Sequence, residues 1–391
     1  MTDVPVPNLH PEANKWSQTP RFMHQKHLKL NVLEAAKART RWIIENFDEV
    51  WVSFSGGKDS LVCLSLMEMV SREMSRTEPI NVRFMDEELV QDDIIDFVQK
   101  MADTGRFNFR WYCLNMYVGF FVMGKHRPFV TWEKDRVWHR QPPAKDYVVY
   151  DVGADTKECN ENTIAQHIFR DTTKRYCSIV GIRADESMKR FLSVSRGGAV
   201  HPNYVSADFG KHSFVAKPIY DWTELDVFKF FKDHDIQYCP CYDQQVWAKT
   251  PLRVASALHE RAASQFFKLK SLSPKFYEQL RAVYPEIETH YRYYAEMAEV
   301  DPTGVYAHTF DGIRDYVANE VDESHRAEAL KYIGSLESMR AFNLKNNPHA
   351  PLGMISVLQT FNGVKSGRFV KGSILNHTIS QGDIDYESSI A

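Results

Sequence analysis

Glu49-Val50-Trp51-Val52-Ser53-Phe54-Ser55-Gly56-Gly57-Lys58-Asp59-Ser60 decides the fold. A short apolar run stops at two glycines, and Leu61 to Met74 is then apolar around most of a helical circumference. The first piece reads as a buried strand and the second as a helix covered on several sides, as on a parallel sheet. A strand, a tight turn and a helix gather free backbone N–H groups and a helix N-terminus around one point, which favours an anion. Gly56 and Gly57 allow close approach, Lys58 adds a cation, and Ser55 and Ser60 add hydroxyls. The G-x-x-x-x-G-K-[ST] phosphate loop does not fit. Val52 stands where its first glycine belongs, and Asp59 where it needs Ser or Thr.

The strand–helix pattern repeats on the C-terminal side. Ile80 to Met85, Phe107 to Cys113, Tyr176 to Ile182 and Ser213 to Ile219 read as strands, and Asp92 to Thr104 as a helix. Thr223-Glu224-Leu225-Asp226 is a capping box opening a helix that runs to about His234. The alternation indicates an α/β fold with a doubly wound, mostly parallel sheet. Between residues 124 and 162 it lapses, as in an insertion. Beyond Thr250, Pro251–Lys270, Pro274–Tyr284, Glu286–Glu299 and His325–Leu344 read as helices, and Ser356–Leu375 as a short hairpin. The expected organisation is an arm and helix over 1–47, a nucleotide-binding domain over 48–245, and a mainly helical domain over 246–391.

A chain of 391 residues with 43% hydrophobic and 25% charged residues has the makings of a large core. A net charge of −3 leaves no whole-molecule basic footprint for nucleic acid. The six cysteines are scattered and none has C-x-x-C spacing, which argues against a disulfide framework, a structural zinc and a ferredoxin-type cluster. Residues 1–20, with prolines at 5, 7, 11 and 20, read as an extended arm and not as a signal peptide. No run of 18 apolar residues occurs, so a cytoplasmic protein without a membrane role is expected.

The loop and four further segments carry a resemblance. Strand-S-G-G-K-D-S-helix resembles the PP-loop of the adenine nucleotide α-hydrolase superfamily. Gly181-Ile182-Arg183-Ala184-Asp185-Glu186-Ser187 with Arg190 resembles a segment of phosphoadenylylsulfate reductases and the small subunits of ATP sulfurylases. Lys217-Pro218-Ile219-Tyr220-Asp221-Trp222-Thr223 is similar to a signature of that same branch, and Cys239-Pro240-Cys241-Tyr242-Asp243 falls where relatives carry an N-P-L-Y-D-like stretch. Ala257 to Ala263, with His259, Glu260 and Arg261, resembles the C-terminal domain of unknown function in the branch containing IbrA and YbdN.

The resemblance implies a HUP/PP-loop fold with a helical C-terminal region, binding ATP or a related adenine nucleotide with Mg²⁺ and no iron–sulfur cluster. The implied nucleotide site is Ser55, Gly56, Gly57, Lys58, Asp59, Ser60, Asp86, Gly181, Arg183 and Arg190. Lys58, Asp59 and Arg183 are its catalytic candidates, since cleavage between the α- and β-phosphates rests on positioning and on cations that offset developing charge. Asp86 follows the second strand, where the superfamily places the adenosine. Two arginines, Arg183 and Arg190, suit phosphate or sulfate oxygens. Asp59 is the candidate Mg²⁺ ligand, and equally a cap for its helix.

Three activities stay open on these residues. One is an ATP pyrophosphatase or adenylyltransferase, whose adenylate serves sulfur or nucleotidyl transfer. A second is a thiol-dependent reductase using Cys239 or Cys241, which read equally well as buried small hydrophobes. The third is a nucleotide-sensing regulator, for which the resemblance implies a ParB-like partner. Residues 125–145 hold Lys125, Arg127, Lys134, Arg136, Arg140 and Lys145 among Trp132 and Trp138, a mixture suited to nucleic acid or to an ordinary surface loop.

Overall fold

A computed structural model of the chain describes residues 30–118, 129–157, 159–160, 163–171, 173–186, 188–195, 202–208, 212–247, 266–292 and 306–365, with shorter pieces between 121 and 126 and between 367 and 388. The expected arm over residues 1–20 and the His259-Glu260-Arg261 stretch lie outside the described residues. Within them the chain divides into two compact units. One falls in Leu30–Arg183 and Arg196–Arg292, the other in Ala184–Ser195 and Tyr293–Ala391.

The first unit is built on a seven-stranded sheet. Its strands are β1 (Glu49–Ser53), β2 (Ile80–Met85), β3 (Phe107–Tyr112), β4 (Val148–Val149), β5 (Tyr176–Ile179), β6 (Val205–Ala207) and β7 (Ser213–Ala216). The spatial order is β6-β7-β5-β1-β2-β3-β4. Every neighbour is parallel except β6, which lies antiparallel on β7 at the edge. The strand order reverses between β1 and β5. In open α/β sheets that is where strand ends splay and leave a crevice for ligand.

Helix α1 (Val32–Asn46) starts at Asn31, whose side chain accepts from the Glu34 amide at 2.9 Å. It leads into β1 and the loop before α2 (Lys58–Glu73). Leu61, Val62, Leu64, Leu66 and Val70 of α2 are almost wholly buried, as its all-round apolar sequence predicts. Helix α3 (Asp92–Ala102) follows β2, and α4 (Glu224–Asp233) begins at the expected capping box of Thr223 and Asp226. Helix α5 is Cys241–Trp247. Three further helices, Phe266–Leu272, Pro274–Val283 and Ile287–Arg292, belong to this unit. Phe276, Tyr277, Leu280 and Ile287 pack on Leu89, Met116, Val118 and Phe129.

The second unit is helical, with Phe310–Glu320, Glu323–Asn346, Val357–Lys365 and Gln381–Ser388. Ile313, Val317, Ile333, Leu336, Val357 and Phe361 form its core. The hairpin expected over 356–375 is corrected here. Val357, Thr360, Phe361 and Val364 repeat every three or four residues and are buried together, which selects a helix over strands. No described helix is long and apolar enough to cross a membrane.

Candidate nucleotide-binding site

The loop between β1 and α2 is tied by its own serines. Ser60 Oγ donates to the Gly57 carbonyl at 2.9 Å and accepts from the Ser55 amide at 3.2 Å. The Gly57 amide reaches Ser55 Oγ at 3.4 Å. Gly56 has φ +74°, in the left-handed region that glycine enters without strain. Ser55 to Ser60 thus close into a preformed turn capped by the first turn of α2.

Lys58 is only 2% exposed. Its Nζ lies 3.2 Å from Asp59 Oδ2 and 3.9 Å from Glu224 Oε2, and 5.4 Å from the centre of the Tyr242 ring. Burial holds its ammonium below the ordinary lysine pKa, with the Asp59 charge opposing that shift and Arg183 adding to it. Arg183 Nε donates to Asp59 Oδ1 at 2.8 Å. One carboxylate thus bridges a loop lysine and an arginine delivered from beyond β5. Gly181 makes that approach feasible. A Cβ there would stand 2.4 Å from the carbonyl carbon of Asp59 and 2.6 Å from the Ser60 nitrogen.

Each Asp59 oxygen faces a cation, Arg183 on one side and Lys58 on the other. Among the described residues no cluster of three or more His, Cys, Asp or Glu is suited to hold a metal. The same bridge gives Asp59 a structural share. Asp59→Ala brings two buried cations together without their common carboxylate and is expected to cost about 2 kcal/mol, read by urea unfolding. A stability equal to wild type would show that the bridge carries no weight.

Two further expected site residues have side-chain partners of their own. Asp86 is 1% exposed and committed to the protein. Oδ2 accepts from Trp111 Nε1 at 2.7 Å, while Oδ1 accepts from the Glu88 amide at 2.9 Å and from Arg140. Burial pushes its carboxyl pKa up, against the pull of Arg140. Arg190 falls in the second unit and ion-pairs with Glu186 one turn earlier.

Part of the basic insertion looks inward. Arg136 binds Glu88 through both terminal nitrogens, at 2.9 and 2.6 Å, and Arg140 binds Asp86. Lys145 lies 3.2 Å from Asp103. Trp132 is 2% exposed and donates to the Asp86 carbonyl, and Trp138 stacks on Tyr150. Arg136, Arg140 and Trp132 thus bind the acidic turn after β2, while Lys134 is exposed. The side chains of Lys125 and Arg127 lie outside the described residues.

Tyr242 is the site residue that sequence reasoning missed. Its hydroxyl accepts from the Lys58 amide at 2.8 Å, holding the N-terminus of α2 from α5. The signal was its place in the Cys-Pro-Cys-Tyr-Asp stretch. Cys239 and Cys241 beside it are 0% and 3% exposed. A hydrogen bond between them lowers the Cys239 pKa and raises that of Cys241, on which burial acts in the same direction.

Over residues 49–280, more than half of its length, the chain matches the family described as the phosphoadenosine phosphosulfate reductase domain. It is 31% identical over 239 residues to the uncharacterized protein YbdN of Escherichia coli (strain K12), covering 58% of each chain. The chain thus spans a little over half the length of the curated relative it matches. Among solved structures it is similar to a phosphoadenylyl-sulfate reductase of Candida auris in a phosphate complex, at 12% identity and a TM-score of 0.31, over 55% of this chain and 85% of that one. It is also similar to the FMN adenylyltransferase of Candida glabrata with FAD and inorganic pyrophosphate, at 13% identity and a TM-score of 0.34, over 54% of this chain and 59% of that one.

Proposed function

This chain belongs to the phosphoadenosine phosphosulfate reductase domain family, and from that premise we propose that it binds ATP at the Ser55–Ser60 loop and cleaves it between the α- and β-phosphates. The observation that carries the reading is the buried Lys58 ammonium at the N-terminus of α2, bridged through Asp59 to Arg183. In the proposed step an acceptor oxygen bonds to the α-phosphorus, and the bridging oxygen leaves with the β- and γ-phosphates as pyrophosphate. Negative charge grows on the phosphoryl oxygens and the leaving group. The loop amides, Lys58 and Arg183 are fixed before reaction and offset that charge without reorganising. Magnesium enters, on this reading, with the nucleotide.

Reduction through Cys239 or Cys241 is less well supported. A thiolate that attacks a bound sulfuryl group must reach it, and both sulfurs are buried. Pure protein incubated with α-labelled ATP and Mg²⁺ tests the main reading: labelled AMP or an adenylylated acceptor, with pyrophosphate, is expected. Release of labelled ADP with orthophosphate would overturn it.

Lys58 also predicts a pH dependence. The nucleotide's negative charge favours the ammonium, so binding raises a pKa that burial has lowered. Proton uptake on binding then weakens affinity as pH rises through the free protein's depressed lysine pKa. Dissociation constants for an α,β-methylene ATP analogue between about pH 7 and 10 should climb for the wild type and stay flat for Lys58→Arg. Equal slopes in the two proteins would remove Lys58 from the linkage.

A further inference from the structure

Arg83 lies in the middle of β2, in an otherwise apolar and polar-neutral strand, and is 8% exposed. Its Nε and Nη1 are buried and donate to nothing. The guanidinium sits 5.2 Å from the centre of the Phe169 ring, which covers one of its faces and satisfies none of its N–H groups. Burial lowers its pKa, and Asp208 is the carboxylate that chiefly opposes the shift. Buried polar groups are almost always hydrogen-bonded, and arginine cannot shed its proton to escape.

A second orphan shares its sheet face. Ser53 pairs with Arg83, Trp51 pairs with Ser178, and residues two apart on a strand point the same way. Ser178 is wholly buried and its Oγ has no partner. The Cα atoms of Arg83 and Ser178 are about 12 Å apart by sheet geometry, a gap that the long arginine side chain and a tetrahedral anion together span. Lys217 stands two residues beyond Val215, which pairs with Ser178, so it continues the same face. It is 4% exposed, reaches Ser206 Oγ at 3.1 Å, and its ammonium pKa is lowered by burial, again against Asp208. Asp208 thus acts on both Arg83 and Lys217.

We propose that the face of β2, β1 and β5 carrying Arg83 and Ser178 is an anion-binding subsite, separate from the phosphate loop, for a small oxyanion or an oxyanion group of a ligand. An oxyanion accepts from the idle nitrogens of Arg83 and from the Ser178 hydroxyl at once. The assignment stands whether or not the loop cleaves ATP.

The test is calorimetric titration of the full chain with sodium sulfate and, separately, sodium acetate, at matched ionic strength. Lys58→Ala is the background, so that the phosphate loop does not dominate the signal. One equivalent of sulfate or acetate is expected per chain. Preference for sulfate would assign a tetrahedral ligand, and preference for acetate a carboxylate. Adding Arg83→Met should weaken that uptake at least 10-fold, while raising thermal stability in anion-free buffer because its unpaired buried N–H groups are gone. Adding Ser178→Ala should weaken it several-fold with no change in anion-free stability, and this keeps the test open if Arg83→Met folds poorly. No uptake of either anion in the Lys58→Ala background, or equal uptake after both Arg83→Met and Ser178→Ala, would overturn the subsite.

Discussion

Lys58→Met is expected to lower kcat/KM for ATP cleavage by about 10²- to 10³-fold, with the melting temperature within a few degrees of wild type. The rate effect follows from position. Lys58 is the first residue of α2, and its ammonium stands at the loop where the proposed function puts the polyphosphate. Losing one fixed charge aimed at the reacting phosphates removes stabilisation that water cannot replace in a closed loop. The small stability effect follows from burial. The ammonium is held at a desolvation cost, as its lowered pKa records, and methionine keeps the apolar stem while removing that cost. Asp59 keeps its contact with Arg183. Steady-state pyrophosphate release and thermal unfolding, measured on the same preparation, decide the matter. Turnover within threefold of wild type would sink the assignment of Lys58, and so would a melting point lowered in step with activity.

The turn between β1 and α2 was legible in sequence because its determinants are local. A strand ending in Gly-Gly-Lys needs no distant residue to become a turn, and the structure keeps it between β1 and α2. The strands of the sheet were legible from their apolar residues, except the two that are too short to carry a pattern, Val148–Val149 and the antiparallel Val205–Ala207. The fate of single polar side chains was not legible. The partners of Asp86, Trp111 and Arg140, come from 25 and 54 residues away. The same holds for Arg136 and Arg140. Their acidic partners sit on the turn after β2, and only the folded chain brings the two together. Arg83 was hidden in the opposite way. In a strand whose residues alternate between faces, a single arginine passes for a solvent-facing residue, and only its 8% exposure shows otherwise. Residues 357–365 show tertiary burial outweighing local composition, since Val357, Phe361 and Val364 needed a helix to reach one core.

Gly181→Ala is expected to destabilise the sheet unit by about 3 kcal/mol and to abolish measurable binding of an ATP analogue. A glycine-to-alanine change usually stabilises slightly, because it restricts the unfolded chain. Here the added methyl would stand 2.4, 2.6 and 2.7 Å from three backbone atoms of Asp59 and Ser60. None of the three belongs to a side chain that can rotate away, so either the first turn of α2 or the chain after β5 must move. Moving α2 displaces the Lys58 amide from Tyr242, and moving the chain after β5 withdraws Arg183 from Asp59. Either shift dismantles the loop along with the packing, so stability and binding fall together, unlike the Lys58 case. Gly334→Ala supplies the internal comparison. Gly334 lies within the helix Glu323–Asn346, and a Cβ there meets nothing within 4 Å. It should gain roughly 0.5–1 kcal/mol from helix propensity alone. Urea unfolding of both variants, with a binding titration on each, separates a general intolerance of alanine from a clash at one crossing. If Gly181→Ala matched Gly334→Ala in sign, the close approach of β5 to the phosphate loop would not be a feature of the folded protein.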